Sequence, residues 1–481
     1  MSTVSSLHAD RRREFLEQIG DAVAVIPAAF EQTRNDDVDH EFRQDSDFFF
    51  LAGFPEPDAV AVLDANRFTL FVRPRDREME TWNGYRAGVE GAKERFGADD
   101  AFPIADLETL LLDRLIGHSH LYYSWGGRLD GRISAMLGKL PPIHERFGHR
   151  VPFTITDPTP IIDELRLRKS VAELELLRTA SRISADGHVE AMRFAAPGVY
   201  EYQVQAAMEY VFRQHGSIRN GYPSIVASGA NATVLHYTEN DREMEDGDLL
   251  LIDAAAEYGY FSADITRTFP VNGTFTKPQR AIYEVVLAAE RAGIAKALPG
   301  ATMRAIHQTA TRVLTEGLTD LGLLPKGVDE SIAMHHYREF FMHGTGHWLG
   351  MDVHDAGTYM VDGEHRPLEP GMTFTVEPGI YVRPENETAT FHLHEYDLDA
   401  WTERRFRLGV QQAKALEAEE LAAAESIQHP IPEEFRGIGV RIEDDLLVTA
   451  TGNENMTEGV PVAIDEIETI CREASSLTRP V

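Results

Sequence analysis

A chain of 481 residues exceeds the size at which one hydrophobic core usually stops growing, so two domains are expected, and a 43% hydrophobic content suits ordinary globular burial. The formal charge of -32 repels nucleic-acid phosphates and anionic lipid, and the densest basic runs, residues 11–13 and 404–407, are too short to offset it. One cysteine, Cys471, cannot form an internal disulfide, and nowhere do ~18 apolar residues follow one another, so the expectation is a cytoplasmic protein with neither nucleic acid nor membrane as partner.

The opening MSTVSSLHADRRREFLEQIG reads as an amphipathic helix without the apolar core of a signal peptide. DAVAVIP, DAVAVLD, FTLFVRP and HLYYSW then predict strands of a mixed sheet, with helical stretches such as LETLLLDRLIG between them and no fixed-period repeat. Together they predict an α/β domain over residues 1–165. Residues 166–198 predict a long linker helix that opens the next domain and acts as a hinge. Ser170 and Glu173 have capping-box spacing, Leu174, Leu177, Ile183 and Val189 keep to one side, and Pro197 with Gly198 stops the run.

From 199 to 481, helical runs at EYQVQAAMEYVFRQHG, PQRAIYEVVLAAERAGIAKAL and RAIHQTATRVLTEGLTDLG alternate with strand signals at SIVAS, LLLIDAAAEYGYFSADITRTF and MTFTVEPGIYV. This alternation predicts an α+β second domain with long antiparallel strands. Between about 386 and 430 the chain turns charged and alanine-rich, reading as exposed helix inserted between two strands, a surface excursion rather than a lid. His392 and His394, which lack further ligands nearby, read as exposed polar residues rather than an extra metal site.

Chemistry concentrates in four stretches. Asp253 ends the apolar run 249–252 and Asp264 follows in SADITRTF, with AAAEYGY as the turn, so a hairpin brings two carboxylates together. Taken singly, Asp253 reads as a turn cap and Asp264 as a partner for Arg267. As a pair at ~4 Å and an effective dielectric of ~20 they repel by roughly 4 kcal/mol, so burying both calls for a proton or a cation between them.

FMHGTGHWLGMDVHD holds His343, His347 and His354 among glycines. The i, i+4 spacing of the first two resembles a zinc helix, yet no glutamate follows His343 and the glycines disfavour helix, so a loop lining a site fits better. Glu377 ends an apolar strand before Pro378. In GIGVRIEDDLLVT the period of two selects Glu443 over Asp444 as the companion of Arg441, and an Arg–Glu ion pair within a strand accounts for these two equally well. Ionised Asp253, Asp264, Glu377 and Glu443 carry four negative charges, which two divalent cations neutralise. Oxygen-rich ligation with a single imidazole suits manganese, or iron or cobalt, better than a thiolate-rich zinc site.

These motifs, with FRQDSDFFFLAGFPEPDAVAVL and METWNGYRAG upstream and LHYTEND between, closely resemble bacterial aminopeptidase P, the Xaa-Pro aminopeptidases of the pita-bread metallopeptidase family, along nearly the whole chain. The resemblance implies an α/β N-terminal domain and an α+β catalytic domain of pita-bread (creatinase/prolidase-like) fold over 199–481. It implies a dinuclear manganese site, Asp264 and Glu443 bridging, Asp253 completing one metal, His347 and Glu377 the other. His236, His343 and His354 would serve as substrate-binding and proton-handling groups, with Arg441 behind Glu443. Asp37 and Trp82 match positions that reach a neighbouring subunit's active site in a homo-oligomer, dimer or tetramer. The 386–430 insertion departs from the family pattern while sparing both flanking ligands.

The activity so implied is release of the N-terminal residue from peptides with a penultimate proline, by attack of a metal-bridging hydroxide. Glu377 would pass a proton to the leaving proline nitrogen, His236 or His354 would stabilise the oxyanion, and the α-amino group would sit near the metal held by Asp253. Prolidase, which takes Xaa-Pro dipeptides, is the alternative with the same fold and ligands. Creatinase shares the fold without metals, and non-catalytic homologues bind partners or nucleic acid; the full ligand set and the net charge argue against both.

Overall fold

Val23–Pro27 is apolar at every turn of its pleat because it runs through the middle of a sheet, where both faces are buried. In a computed structural model describing residues 2–325, 327–395 and 397–479, this strand anchors the first of two units, which meet between Arg166 and Leu167. The sheet runs in the order 100–103, 67–72, 60–64, 23–27, 120–122, 154–156. The central strand is antiparallel to Val60–Asp64 and parallel to His120–Tyr122, so the mixed sheet expected from the apolar runs is present. Leu107, Leu111 and Leu115, one stripe of helix Leu107–Leu115, pack on Val23, Val25, Val60 and Val62. The opening helix, Ser2–Ile19, buries Phe15 and Ile19 and lays the Arg12 guanidinium 4.0 Å from the centre of the Phe68 ring.

The helix expected as a hinge is Val171–Phe194, and it lies wholly inside the second unit. Ser170 and Glu173 close a capping box at its start. Ile183 and Met192 share a core with Val204 and Met208 of helix Glu201–Gln214, and a Cβ on Gly187 would sit 2.4 Å from Phe212, so glycine lets the two helices touch.

The second unit is built on short antiparallel strands rather than the long ones expected. Ile225–Ser228, Leu249–Asp253 and Thr266–Pro270 form one sheet; Thr373–Val376, Asp444–Val448 and Asn453–Asn455 form another. Gly379–Val382 pairs separately with Ile438–Arg441. Both long chain segments break at one level, at Glu377 with Pro378 and at Ile442. Proline has no N–H to continue a ladder, and here its carbonyl accepts from Ile442 at 3.3 Å. A lone bridge between Thr266 and Glu443 joins the first sheet to the broken pair, so side chains from all of them converge there.

The insertion is a ribbon, Thr388–His392 against Ser426–Pro430, carrying two helices, Leu398–Leu408 and Val410–Ala422. Gly409, at φ 80°, separates what the composition suggested was one helix. Most of it is exposed, but Trp401 is buried beneath the Arg405 guanidinium, 3.5 Å from its ring centre. Among the described residues no helix is long and apolar enough to cross a membrane.

Candidate metal centre and active site

A cavity of about 540 Å³ opens at the strand breaks. Asp253, Asp264, His343, His347, Glu377, Arg441 and Glu443 line it, and so do His236 and His354, exposed at its rim. Its remaining wall is largely apolar, from Pro223, Ile225, Leu235 and Val353. Asp253 closes its strand opposite Thr266. Asp264 lies in the irregular return of the hairpin, whose tip is itself a small pair of strands, 256–258 with 261–262. Loop 343–347 is held as a pseudo-strand: Thr375 N–H donates to His347 O at 3.0 Å, and Glu377 N–H to Thr345 O at 2.9 Å.

One ligand-type atom each from Asp264, His347 and Glu443 come within 4.8 Å of one another. His347 Nε2 stands 3.3 Å from Asp264 Oδ2 and 3.8 Å from Glu377 Oε1. Its Nδ1 is 3.0 Å from the Trp348 carbonyl, which fixes the proton there and turns Nε2 toward the acids, the arrangement a ligating histidine needs. Burial pulls the His347 imidazole down, but hydrogen bonding and charge from Asp264 outweigh it and lift it to about 9. Burial raises Asp264 as well, pushes Glu377 up to about 7, and drives Glu443 far above the carboxylate range. Left to itself the cluster holds protons where cations would serve. Asp253 Oδ1 is buried without a hydrogen-bond partner, as a carboxylate oxygen awaiting a cation is. Oxygen donors with one imidazole, and no thiolate, fit a hard to borderline divalent metal.

Arg441 does not meet Glu443 directly. Its Nη2 donates to Asp253 Oδ2 at 2.5 Å, its Nη1 to the Tyr381 hydroxyl at 2.9 Å and its Nε to Thr266 Oγ1 at 3.0 Å. Thr266 in turn donates to Glu443 Oε2 at 2.7 Å, so the expected support reaches Glu443 through a hydroxyl. Parity correctly puts Glu443 rather than Asp444 on the side of Arg441, since both line the cavity, but the direct ion pair between them does not form. The other bland pairing also gives way: Arg267 takes Asp444 at 2.6 Å, leaving Asp264 to the cavity. Both nitrogens of His343 are engaged, Nδ1 with Gly344 O at 2.7 Å and Nε2 with the Tyr381 hydroxyl at 2.9 Å, and burial holds its imidazole down at about 3. His354 packs edge-on to His347, ring centres 4.1 Å apart.

Three side chains here have no signature in the sequence. Tyr222 donates to Asp264 Oδ1 at 2.5 Å, Thr266 links Arg441 to Glu443, and Tyr381 links Arg441 to His343. Asp37 and Trp82 lie in the first unit and are exposed, Trp82 by 81%. His392 is half-buried, and its carbonyl accepts from His336 Nε2 at 2.8 Å.

The metallopeptidase family M24 model matches residues 175–450, the segment that carries every one of these donors. The chain belongs to metallopeptidase family M24. A second model, the aminopeptidase P N-terminal domain, matches residues 8–122. Xaa-Pro aminopeptidase of Escherichia coli (strain K12) is 40% identical over 483 residues, 98% of each chain. That of Haemophilus influenzae is 38% identical over 96% of this chain and 95% of its own. Among solved structures, aminopeptidase PepP of Pseudomonas aeruginosa aligns with a TM-score of 0.86 at 42% identity, over 97% of this chain and 98% of that one. Zinc-substituted E. coli aminopeptidase P in complex with product gives 0.86 at 38% identity, over 98% and 99%. This M24 metallopeptidase therefore has the aminopeptidase P architecture, an α/β first domain and a pita-bread catalytic domain, and works with a divalent metal.

Proposed function

We propose that this metallopeptidase releases the N-terminal residue from peptides whose second residue is proline. The observation that carries the reading is the convergence of Asp253, Asp264, His347, Glu377 and Glu443 on one cavity, in a chain that is 40% identical to Escherichia coli Xaa-Pro aminopeptidase over 98% of its length. An Xaa-Pro bond lacks the amide N–H by which most peptidases hold substrate, so a site that grips the carbonyl and the free amine suits it.

Those five residues would hold two divalent cations, manganese by donor chemistry, since four carboxylates need that much charge. Bound cations would supply a nucleophile from water at neutral pH and polarise the scissile carbonyl. The protein groups do the rest. Glu377, at the end of its strand and facing the cavity, would take a proton and return it to the proline nitrogen. His236 or His354, both exposed at the cavity, would donate to the carbonyl oxygen as charge develops. His343, engaged at both nitrogens, positions Tyr381 and the glycine loop instead of moving protons. The free α-amino group would sit near the cation held by Asp253, whose Oδ2 Arg441 braces. In a cytoplasmic homo-oligomer, dimer or tetramer, exposed Asp37 and Trp82 would contact a neighbouring subunit.

Turnover of Ala-Pro, Ala-Pro-Ala and a nonapeptide beginning Xaa-Pro, before and after chelation and manganese addition, tests this reading. Cleavage of the tripeptide and nonapeptide, lost on chelation and restored by manganese, is expected. Cleavage of the dipeptide alone would make the enzyme a prolidase, and activity indifferent to chelation would remove the metal from the mechanism.

A further inference from the structure

Segment 228–242 brings Leu235, His236 and Thr238 to the cavity, yet most of it has no regular structure: after the 3-10 turn Gly229–Thr233 it belongs to no strand or helix. Its position has to be imposed from elsewhere. The fully buried carboxylate of Glu201, first residue of helix Glu201–Gln214, does this with both oxygens. Oε1 accepts from Ser228 N–H at 2.6 Å, Ser228 Oγ at 2.7 Å and Asn231 Nδ2 at 3.2 Å. Oε2 accepts from the Tyr237 hydroxyl at 2.8 Å and Arg242 N–H at 3.0 Å. One side chain thus ties both ends of the segment and the residue next to His236. The main chain repeats the clamp, Glu201 N–H donating to Arg242 O at 3.0 Å and Met244 N–H to Val199 O at 2.9 Å.

Five donors on one buried carboxylate fix this segment at both ends and in its middle. A solvent-facing segment normally satisfies its own polar groups with water. Tyr237 is turned inward to Glu201 while His236, its neighbour, is exposed at the cavity rim. Fixing the phenol fixes the direction of the imidazole. We propose that Glu201 is a positioning residue of the active site, holding segment 228–242 so that His236 reaches the scissile carbonyl. This rests on the role given to His236 above.

A double-mutant cycle tests it, with Glu201→Gln and, as a milder variant that keeps the carboxylate, Tyr237→Phe, each alone and combined with His236→Ala. Metal content and hydrogen exchange of segment 228–242 are measured on every protein. Because a displaced group loses most of its effect, each single variant should lower kcat on Ala-Pro-Ala about tenfold, with metal content unchanged and amides of 228–242 less protected. In the His236→Ala background the same changes should have almost no further effect on kcat. Losses that multiply in that background, or that track loss of metal, overturn the inference. If His236→Ala alone leaves kcat unchanged, the role of His236 is wrong. Exchange then decides: protection of 228–242 lost in Glu201→Gln upholds the clamp, and protection retained refutes it.

Discussion

His347 Nε2 and Asp264 Oδ2 lie 3.3 Å apart, close enough to share a proton wherever no cation separates them. His347 is lifted to about 9 against the drag of burial, and burial holds Glu377 at about 7. Both groups must shed protons before they can bind a cation. Manganese uptake should therefore release protons, and affinity should rise with pH between about 6 and 9, about tenfold per pH unit for each proton displaced. Calorimetric titration in buffers of different ionisation enthalpy gives the proton count directly. A dissociation constant that stays flat over this range would mean that the cluster is already deprotonated.

Thr266 bears on the same centre from outside it. Thr266→Val keeps the shape but removes the hydroxyl that orients Glu443 and accepts from Arg441 Nε. Loss of such an outer hydrogen bond should weaken metal binding about tenfold, and the unpaired guanidinium N–H should cost about 1–3 kcal/mol of stability. Metal titration and thermal melting of the same preparation separate the two effects.

Glu377→Gln should lower kcat on Ala-Pro-Ala by about a hundredfold or more, since the amide cannot carry a proton. KM should move little. Metal content, read by elemental analysis, must be checked, because Glu377 is also a proposed ligand. Full activity would assign the proton transfer elsewhere.

How far the sequence reveals this centre depends on the kind of residue. Asp253 and Glu377 stand out because a carboxylate closing an apolar strand is chemically anomalous, Asp264 because the hairpin sets it beside Asp253, and Glu443 by the alternation of its strand. His343, His347 and His354 stand out by their density among glycines. The groups behind the ligands are silent: a threonine in a strand or a tyrosine in GIYV is ordinary in composition, and only folding shows that Thr266 and Tyr381 meet Arg441. Alternation along 441–444 correctly points Glu443 toward the cavity, but that Arg441 meets Asp253 from another strand rather than Glu443 is a tertiary event that periodicity cannot contain. The helix 171–194 misleads for a similar reason. A long amphipathic helix before a new domain looks like a hinge until its buried face is seen packed on Glu201–Gln214.

None of the described residues of the 386–430 insertion lines the cavity. His392 and Ser426 are directly paired across the ribbon, so a two-residue Asn-Gly turn can replace residues 393–425. The shortened enzyme should keep kcat/KM for Ala-Pro-Ala while melting earlier, since Arg304 loses Asp399 and Arg338 loses the Trp401 ring. A rise in KM would give the insertion the part of a lid.

Away from the metal, His188 sets an acid limit on the fold. It is fully buried, with Nε2 2.8 Å from Ala254 O and Nδ1 without a partner, and burial lowers it from 6.5 to about 4. Between those values the unfolded chain binds a proton that the native protein refuses, so stability is intact above pH 6.5 and is lost as pH falls toward 4. At pH 5 this one group should have removed about 2 kcal/mol. His188→Gln keeps a donor for the Ala254 carbonyl and cannot titrate. Its melting temperature should fall less from pH 7 to pH 5 than that of the parent, the metal centre's own pH dependence being common to both. Equal falls would show that acid denaturation is governed by the carboxylates instead.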